Sequence, residues 1–423
     1  MQPGAGSEAA GNTPALFRSS PPKGMHPAWL PAVLEGGLCV AALLFFPLLV
    51  LAPRGIAPLA SVAVLFGVIL VILKTGSALF VRLFSVPATL LAVLVIWGLV
   101  SAAWSPDPLR SLDQGARLAG LIVAALAMAA ADFVSAPRRL AAFLLAGFAF
   151  AMAMAGIDLA TNGALSRPFS DRVYQPAWLN QASDAFAILL LPTSAALVIG
   201  GYRLRGLVFA AVGAATILAL AGTAAKVALA AGVPCAILCY RWRPPVARIA
   251  AILSVLVILT APLTFARIDW ITGFVHTADW VKFSAGHRLL IWSFVGDRIA
   301  EHPLRGWGLE ASRAIPGGSD PIRADQTWLP LHPHNAPLQI WLELGVPGVV
   351  PFALLCGWLW LAVGRAEWPR LYAAAACGSL ATGFAASFAT YGVWQEWWQG
   401  TLSFALFMTL VLARVAAASA DAR

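Results

Sequence analysis

Apolar runs of about 18 or more residues recur along nearly the whole chain, long enough for helices that cross a lipid bilayer. This feature limits the fold more than any other. The composition agrees: of 423 residues 60% are hydrophobic and only 11% are charged, with a mean hydropathy of +0.80. A soluble protein carries charge on roughly a quarter of its residues. Twelve candidate spans are read at roughly 32–51, 56–73, 86–103, 116–134, 138–157, 184–200, 204–221, 225–240, 247–266, 337–363, 371–390 and 400–417. Several are short and interrupted by Pro or Gly. The expected fold is an all-α polytopic membrane protein of about 12 transmembrane helices, without an internal repeat.

Two longer segments interrupt the spans, 267–336 between spans 9 and 10 and the shorter 158–183. Residues 1–27 are rich in Gly, Pro, Ser and Ala and lack an apolar core, so they read as a disordered cytosolic arm rather than a cleaved leader. Sidedness follows from the basic residues. With the N-terminus inside, fifteen fall in cytosolic segments, among them Lys74, Arg138, Arg139, Arg241, Arg365 and Arg414; six fall in short external segments, and the remaining seven lie in 267–336. Both termini are therefore expected inside and both long loops outside. The chain divides into the arm, a membrane part at 28–266, the external loop 267–336, a second membrane part at 337–417 and a cytosolic tail at 418–423. The net charge of +9 is thereby read as positive-inside bias, and nucleic acid is not an expected partner.

All five cysteines, Cys39, Cys235, Cys239, Cys356 and Cys377, lie inside apolar stretches and read as buried small hydrophobes. Cys235 and Cys239 stand one helical turn apart, which is not a zinc-site spacing.

The stretch most suggestive of chemistry is His332-Pro333-His334-Asn335-Ala336-Pro337, running on through Glu343 to Gly345-Val346-Pro347-Gly348. Asn335 suits an N-cap and Pro337 a first helical turn, so a short helix is expected to start here and to be interrupted at Gly345 to Gly348. His334 would then sit beside a helix N-terminus, whose partial positive charge disfavours imidazolium and leaves the ring able to accept a proton. An ordinary loop histidine is the alternative. A metal site at His332 and His334 lacks a third or fourth ligand at suitable spacing. Upstream, Ser284 to Trp292 opens an apparent helix, and His302-Pro303-Leu304-Arg305-Gly306-Trp307-Gly308 follows its end. Lys226 places one cation at the external mouth of a span; a snorkelling anchor is the plainer reading.

Together these pieces resemble the O-antigen ligase family, whose relatives include O-antigen polymerases and pilin-type O-oligosaccharyltransferases. The family pattern is His, then Asn, Ser or Gln, nine residues, then Gly-x-x-Gly. His334-Asn335, residues 336–344 and Gly345-Val346-Pro347-Gly348 match it without a gap. The family's Arg-x-x-x-Trp helix and Pro-Leu-x-Gly-x-Gly turn appear as Arg288 to Trp292 and Pro303 to Gly308. One departure is Ala225-Lys226-Val227, where the family usually shows Ser-Arg-Gly; lysine keeps the charge but loses the planar fork that grips phosphate. Arg167-Pro168-Phe169 and Asn180-Gln181-Ala182 resemble the family's loop into its sixth span, although a surface cation and a helix cap also explain Arg167 and Asn180.

The resemblance implies transfer of a glycan from undecaprenyl diphosphate to an acceptor hydroxyl at the periplasmic face of a bacterial inner membrane, with no cofactor or metal. His334 would be the general base and Arg288 a catalytic cation, with Arg288 and Lys226 on the diphosphate; Asn335, Asn180, Arg167 and Glu343 are further candidates. The acceptor would be lipid A–core, with a second lipid-linked glycan or a protein hydroxyl as alternatives. Trp270, Trp280, Trp292, Trp307 and Trp328 are candidate sugar-stacking faces or interfacial anchors. A transporter of the same lipid-linked glycans is the competing class, and it would be expected to bury ionisable groups near the bilayer midplane.

Overall fold

The structure, a computed structural model, describes residues 27, 29–75, 85–128, 134–169, 173–267, 283–323 and 326–423. The expected arm at 1–27 lies almost wholly outside these residues, as do Trp270 and Trp280.

The chain is built from helices α1 (Leu30–Leu51), α2 (Ile56–Thr75), α3 (Val86–Val100), α4 (Pro108–Met128), α5 (Pro137–Ala160), α6 (Asn180–Ile199), α7 (Arg203–Ala219), α8 (Thr223–Leu259), the short α9 (Ala261–Thr264), α10 (Phe283–Glu301), α11 (Ala336–Arg365), α12 (Arg370–Ser387) and α13 (Glu396–Ala420). One small antiparallel ribbon pairs β1 (Pro321–Arg323) with β2 (Gln326–Thr327). Helices satisfy their own backbone groups, which a bilayer interior requires. The protein is a multi-pass membrane protein.

Among the described residues eight helices are long and apolar enough to cross a membrane, against the twelve stretches read from the sequence. Three of the four missing spans have local causes. Helix α4 carries Arg110, Asp113 and Arg117, and α7 is only 17 residues long. Helix α8 covers two of the expected spans, joined at Trp242, whose φ of −139° and ψ of 50° are not helical; Pro244 and Pro245 follow. Its two arms run in opposite directions. Cys235 and Tyr240 lie beside Cys377 and Arg370 of α12, whereas Ser254 and Ile258 bond Trp360 and Trp341 of α11.

Where water is absent from both reference and folded state, close packing rather than apolar burial holds helices together. Aromatic rings do this in the largest core. Phe46 stacks on Phe148 with centroids 4.0 Å apart, Phe45 on Phe404 at 4.1 Å, and Phe148 on Phe186 at 5.2 Å, joining α1, α5, α6 and α13. Of the five cysteines, all are free thiols; Cys235 is half-buried and the others are buried.

The bundle has two unlike ends. At one, Lys74 bonds Glu35 at 2.8 Å, Arg414 donates to the Val134 carbonyl at 2.8 Å and Arg370 to that of Tyr240 at 2.6 Å. The other end gathers the start of α6, the start of α8, α10, the start of α11 and the α12–α13 connection.

Candidate active site

The start of α11 is organised by its own sequence. Asn335 is fully buried and caps the helix, its Oδ1 accepting the Leu338 N–H at 3.0 Å, and Pro337 lies in the first turn. The helix breaks at Gly345, where φ is +58°. A break orphans the preceding carbonyls, and the Pro303 to Gly308 turn takes them up. Trp307 N–H donates to the Leu342 carbonyl at 2.9 Å and Gly308 N–H to that of Glu343 at 2.8 Å, while Trp97 Nε1 reaches that of Leu344 at 2.8 Å. A side chain at Gly345 would come within 2.7 Å of the Leu304 backbone and 2.8 Å of Gly306 N, and one at Gly306 would meet the Glu343 carbonyl. Gly-x-x-Gly and Pro-Leu-x-Gly-x-Gly are therefore two halves of one joint.

Glu343 fastens the same joint. Its carboxylate is fully buried and accepts from Glu310 N at 2.6 Å, Trp394 Nε1 at 2.5 Å, Gln339 Nε2 at 3.0 Å and the Ser312 hydroxyl. These four donors occupy both oxygens.

His334 stands just before the cap with a left-handed φ of +57°. Its Nδ1 donates to the Thr390 carbonyl. A neutral ring that donates through Nδ1 has Nε2 free to accept a proton. Burial pushes the His334 pKa down to about 4, assisted by the charge of Arg288 and opposed by the Thr390 bond, so the ring is neutral at physiological pH. His332 is more deeply buried, 5% exposed, and is pushed down to about 2 by burial first, then by the neighbouring His334 and the charges of Arg313 and Arg288. Its Nδ1 accepts the backbone N–H of His334 at 3.2 Å, and its Nε2 faces the Gln395 amide at 3.3 Å. With Nδ1 accepting, Nε2 carries the hydrogen, so the amide oxygen of Gln395 is its proper partner. His332 thus holds the strained turn of His334 rather than merely lying beside it.

Arg288 lies half-buried on α10 and acts electrostatically on His332, His334, Asp184 and Tyr391. Burial lowers its pKa, and the nearby Tyr391 and Asp184 oppose that. Its guanidinium forms no hydrogen bond or ion pair with the described residues. One turn on, Trp292 Nε1 donates to the Pro333 carbonyl at 2.8 Å, so the Arg-x-x-x-Trp spacing presents the cation and clamps the histidine turn with one helix. Trp307 similarly donates to the Arg298 carbonyl at 2.9 Å, and Trp328 stacks on Phe294. These three rings brace the loop.

Lys226 is half-buried in the first turn of α8. Asn180, the first residue of α6, does not cap that helix; its Oδ1 lies against Gly222, with Ser183 beside it. One turn further along α6, Asp184 accepts from Tyr391 at 2.7 Å, next to the Thr390 carbonyl that holds His334. A single turn of α6 thus links the mouth of α8 to the histidine. Arg167 is exposed in the turn Arg167–Phe169 and bonds to none of these groups.

The segment Thr390 to Gln395 carries no recognisable signal in the sequence. Its contributions are a backbone carbonyl, the Val393 N–H that bonds Gln339 at 2.9 Å, the Trp394 N–H donated to Glu343, and the Gln395 amide that faces His332. Only the buried ionisable Asp184 inside an apolar run offered a hint. Among the described residues no three His, Cys, Asp or Glu side chains form a metal-holding group.

The fold and site define a multi-pass membrane protein with a neutral histidine and cations gathered at one end of its helices. Residues 206–353 match the family model described as O-antigen ligase. Over 119 residues it is 36% identical to a protein of Rickettsia conorii named as a candidate polysaccharide ligase, which is 27% of this chain and 29% of that one. A protein of Rickettsia prowazekii with the same name is 34% identical over 119 residues, with the same shares. One from Rickettsia bellii is 33% identical over 135 residues, 31% of this chain and 33% of that one. The matched stretch spans a third or less of these relatives.

Proposed function

We propose that the protein transfers a glycan from undecaprenyl diphosphate to an acceptor hydroxyl, as an O-antigen ligase acting on lipid A–core. The observation that carries this reading is the His334 ring, neutral and fixed through Nδ1 so that Nε2 is the proton acceptor, with the Arg288 guanidinium, unbonded among the described residues, acting on it. Nε2 removes the proton of the acceptor hydroxyl as its oxygen attacks the anomeric carbon. The bond to the diphosphate breaks, and the diphosphate leaves with the electron pair toward Arg288 and Lys226, whose charge is strengthened by the low-dielectric surroundings. Attack opposite the leaving group inverts the anomeric carbon, and the two cations meet its charge without a metal.

The site end is read as periplasmic in a bacterial inner membrane and the opposite end, with Lys74, Arg370 and Arg414, as cytosolic. The two arms of α8 support two crossings there, as in the twelve-span reading. Glu343 is read as structural, and Asn335 as the cap that sets the histidine turn.

Gene deletion combined with lipopolysaccharide and exopolysaccharide profiling tests the acceptor. Loss of long chains on lipid A–core, with lipid-linked polymer accumulating, is the expected result. Loss of chain length with single repeat units retained would assign a polymerase instead, and loss of glycan from protein a protein oligosaccharyltransferase.

A further inference from the structure

Asp184 is an ionisable side chain, 2% exposed, inside a helix apolar enough to cross the membrane. Such a residue is costly in lipid and is retained where it has a partner. Its Oδ2 accepts from the Tyr391 hydroxyl at 2.7 Å; Oδ1 has no hydrogen-bond partner among the described residues. The Tyr391 ring is held edge-on by Trp397, with centroids 4.5 Å apart, and rests against Trp398 at 5.1 Å. Tyr391 adjoins Thr390, whose carbonyl accepts from His334 Nδ1 and whose hydroxyl bonds the Ala386 carbonyl at 2.6 Å. That carbonyl decides which ring nitrogen of His334 carries the hydrogen. Its place depends on a short segment after α12, anchored on one side by Thr390 and on the other by Asp184.

We infer that Asp184 is a positioning residue, which through the Tyr391 hydroxyl fixes the Thr390 carbonyl and so keeps His334 in the tautomer that accepts at Nε2. The inference rests on the proposed role of His334 as base. Asp184 touches no reacting atom in this scheme. It acts across the bundle, from α6 to the α12–α13 connection, and needs an acceptor oxygen rather than a charge.

Three variants of the full-length protein separate this role from simple packing. Tyr391→Phe removes only the hydroxyl, Asp184→Ala removes the acceptor, and Asp184→Asn keeps it. Turnover in the first two should fall about tenfold to a hundredfold, the scale for losing an orienting contact, while the donor KM stays within about twofold. Asp184→Asn should retain turnover within about threefold of the wild type by the same reasoning. In 15N-histidine-labelled protein in nanodiscs, His334 should carry its hydrogen on Nδ1 in the wild type and Asp184→Asn, and shift toward Nε2 in the other two. An unchanged tautomer and turnover in Tyr391→Phe would overturn the inference. So would an Asp184→Asn variant as impaired as Asp184→Ala, which would assign the effect to charge beside Arg288. Should the wild type transfer nothing from the lipid-diphosphate donor, the proposed function fails, and the tautomer comparison still decides the role of Asp184.

Discussion

Two buried polar centres share the first stretch of α11, and they are built differently. Around Glu343 every carboxylate oxygen meets a donor, and the donors come from three directions: the Glu310 to Ser312 turn, Gln339 one turn earlier, and Trp394. Around His334 and the adjoining first turn of α6 the bonding is incomplete. Asn180 Oδ1, Ser183 Oγ, Asp184 Oδ1 and Asn335 Nδ2 have no hydrogen-bond partner among the described residues, and the Arg288 guanidinium is unbonded there too. Buried polar groups in folded proteins are nearly always paired. A centre with every group paired holds the chain together, whereas several open groups around a neutral base and cations suit a polar ligand.

Substitutions at the two centres should therefore fail in different ways. Glu343→Ala should have the largest effect on the protein itself, because each buried donor left unmet costs about 1–3 kcal/mol. Thermal melting of detergent-purified protein should show a marked loss of stability, and a variant that melts like the wild type would erase the contrast. Arg288→Lys should leave the melting point near normal and lower turnover about a hundredfold, since a point charge replaces a planar fork aimed at developing charge. His332→Ala should lower turnover about tenfold through the lost support of the His334 turn. That is more than expected of a ring outside the family motif. The smallest effects belong to Lys226. Lys226→Ala should cost about tenfold or less, because a half-buried charge is partly screened, and Lys226→Arg should match or exceed the wild type. Full activity in Lys226→Ala would reduce that residue to a membrane anchor.

Much of this was legible in the sequence where the cause is local. The Asn335 cap, the helix start at Ala336 and the break at Gly345 depend on a few adjacent residues, and each stands where the motif places it. The helical course of the spans follows likewise from apolar runs. What could not be read is the work done at long range. Thr390 contributes a carbonyl, which leaves no trace in residue type, and lies 56 residues from the histidine it orients. Asp184 and Tyr391 are 207 residues apart. Glu343 was a candidate only through the resemblance, and the four donors that support a structural role for it come from residues the sequence does not bring together. Trp292 and Trp307, candidate sugar-stacking faces or interfacial anchors by sequence, also donate their N–H groups to backbone carbonyls, a role that residue type does not reveal.

The most direct test of the account is transfer from a purified undecaprenyl-diphosphate-linked glycan to acceptor by folded His334→Ala protein, measured beside the wild type across pH. Loss of a general base predicts a fall in turnover of about 10²–10⁴-fold, with melting little changed. The wild-type rate should persist below pH 6.5, the ordinary histidine value, and fall only as the pH approaches about 4, because burial holds the ring neutral until then. Bound diphosphate would move that limb upward. Turnover in His334→Ala equal to that of the wild type, or activity abolished by EDTA and restored by zinc, would contradict the account.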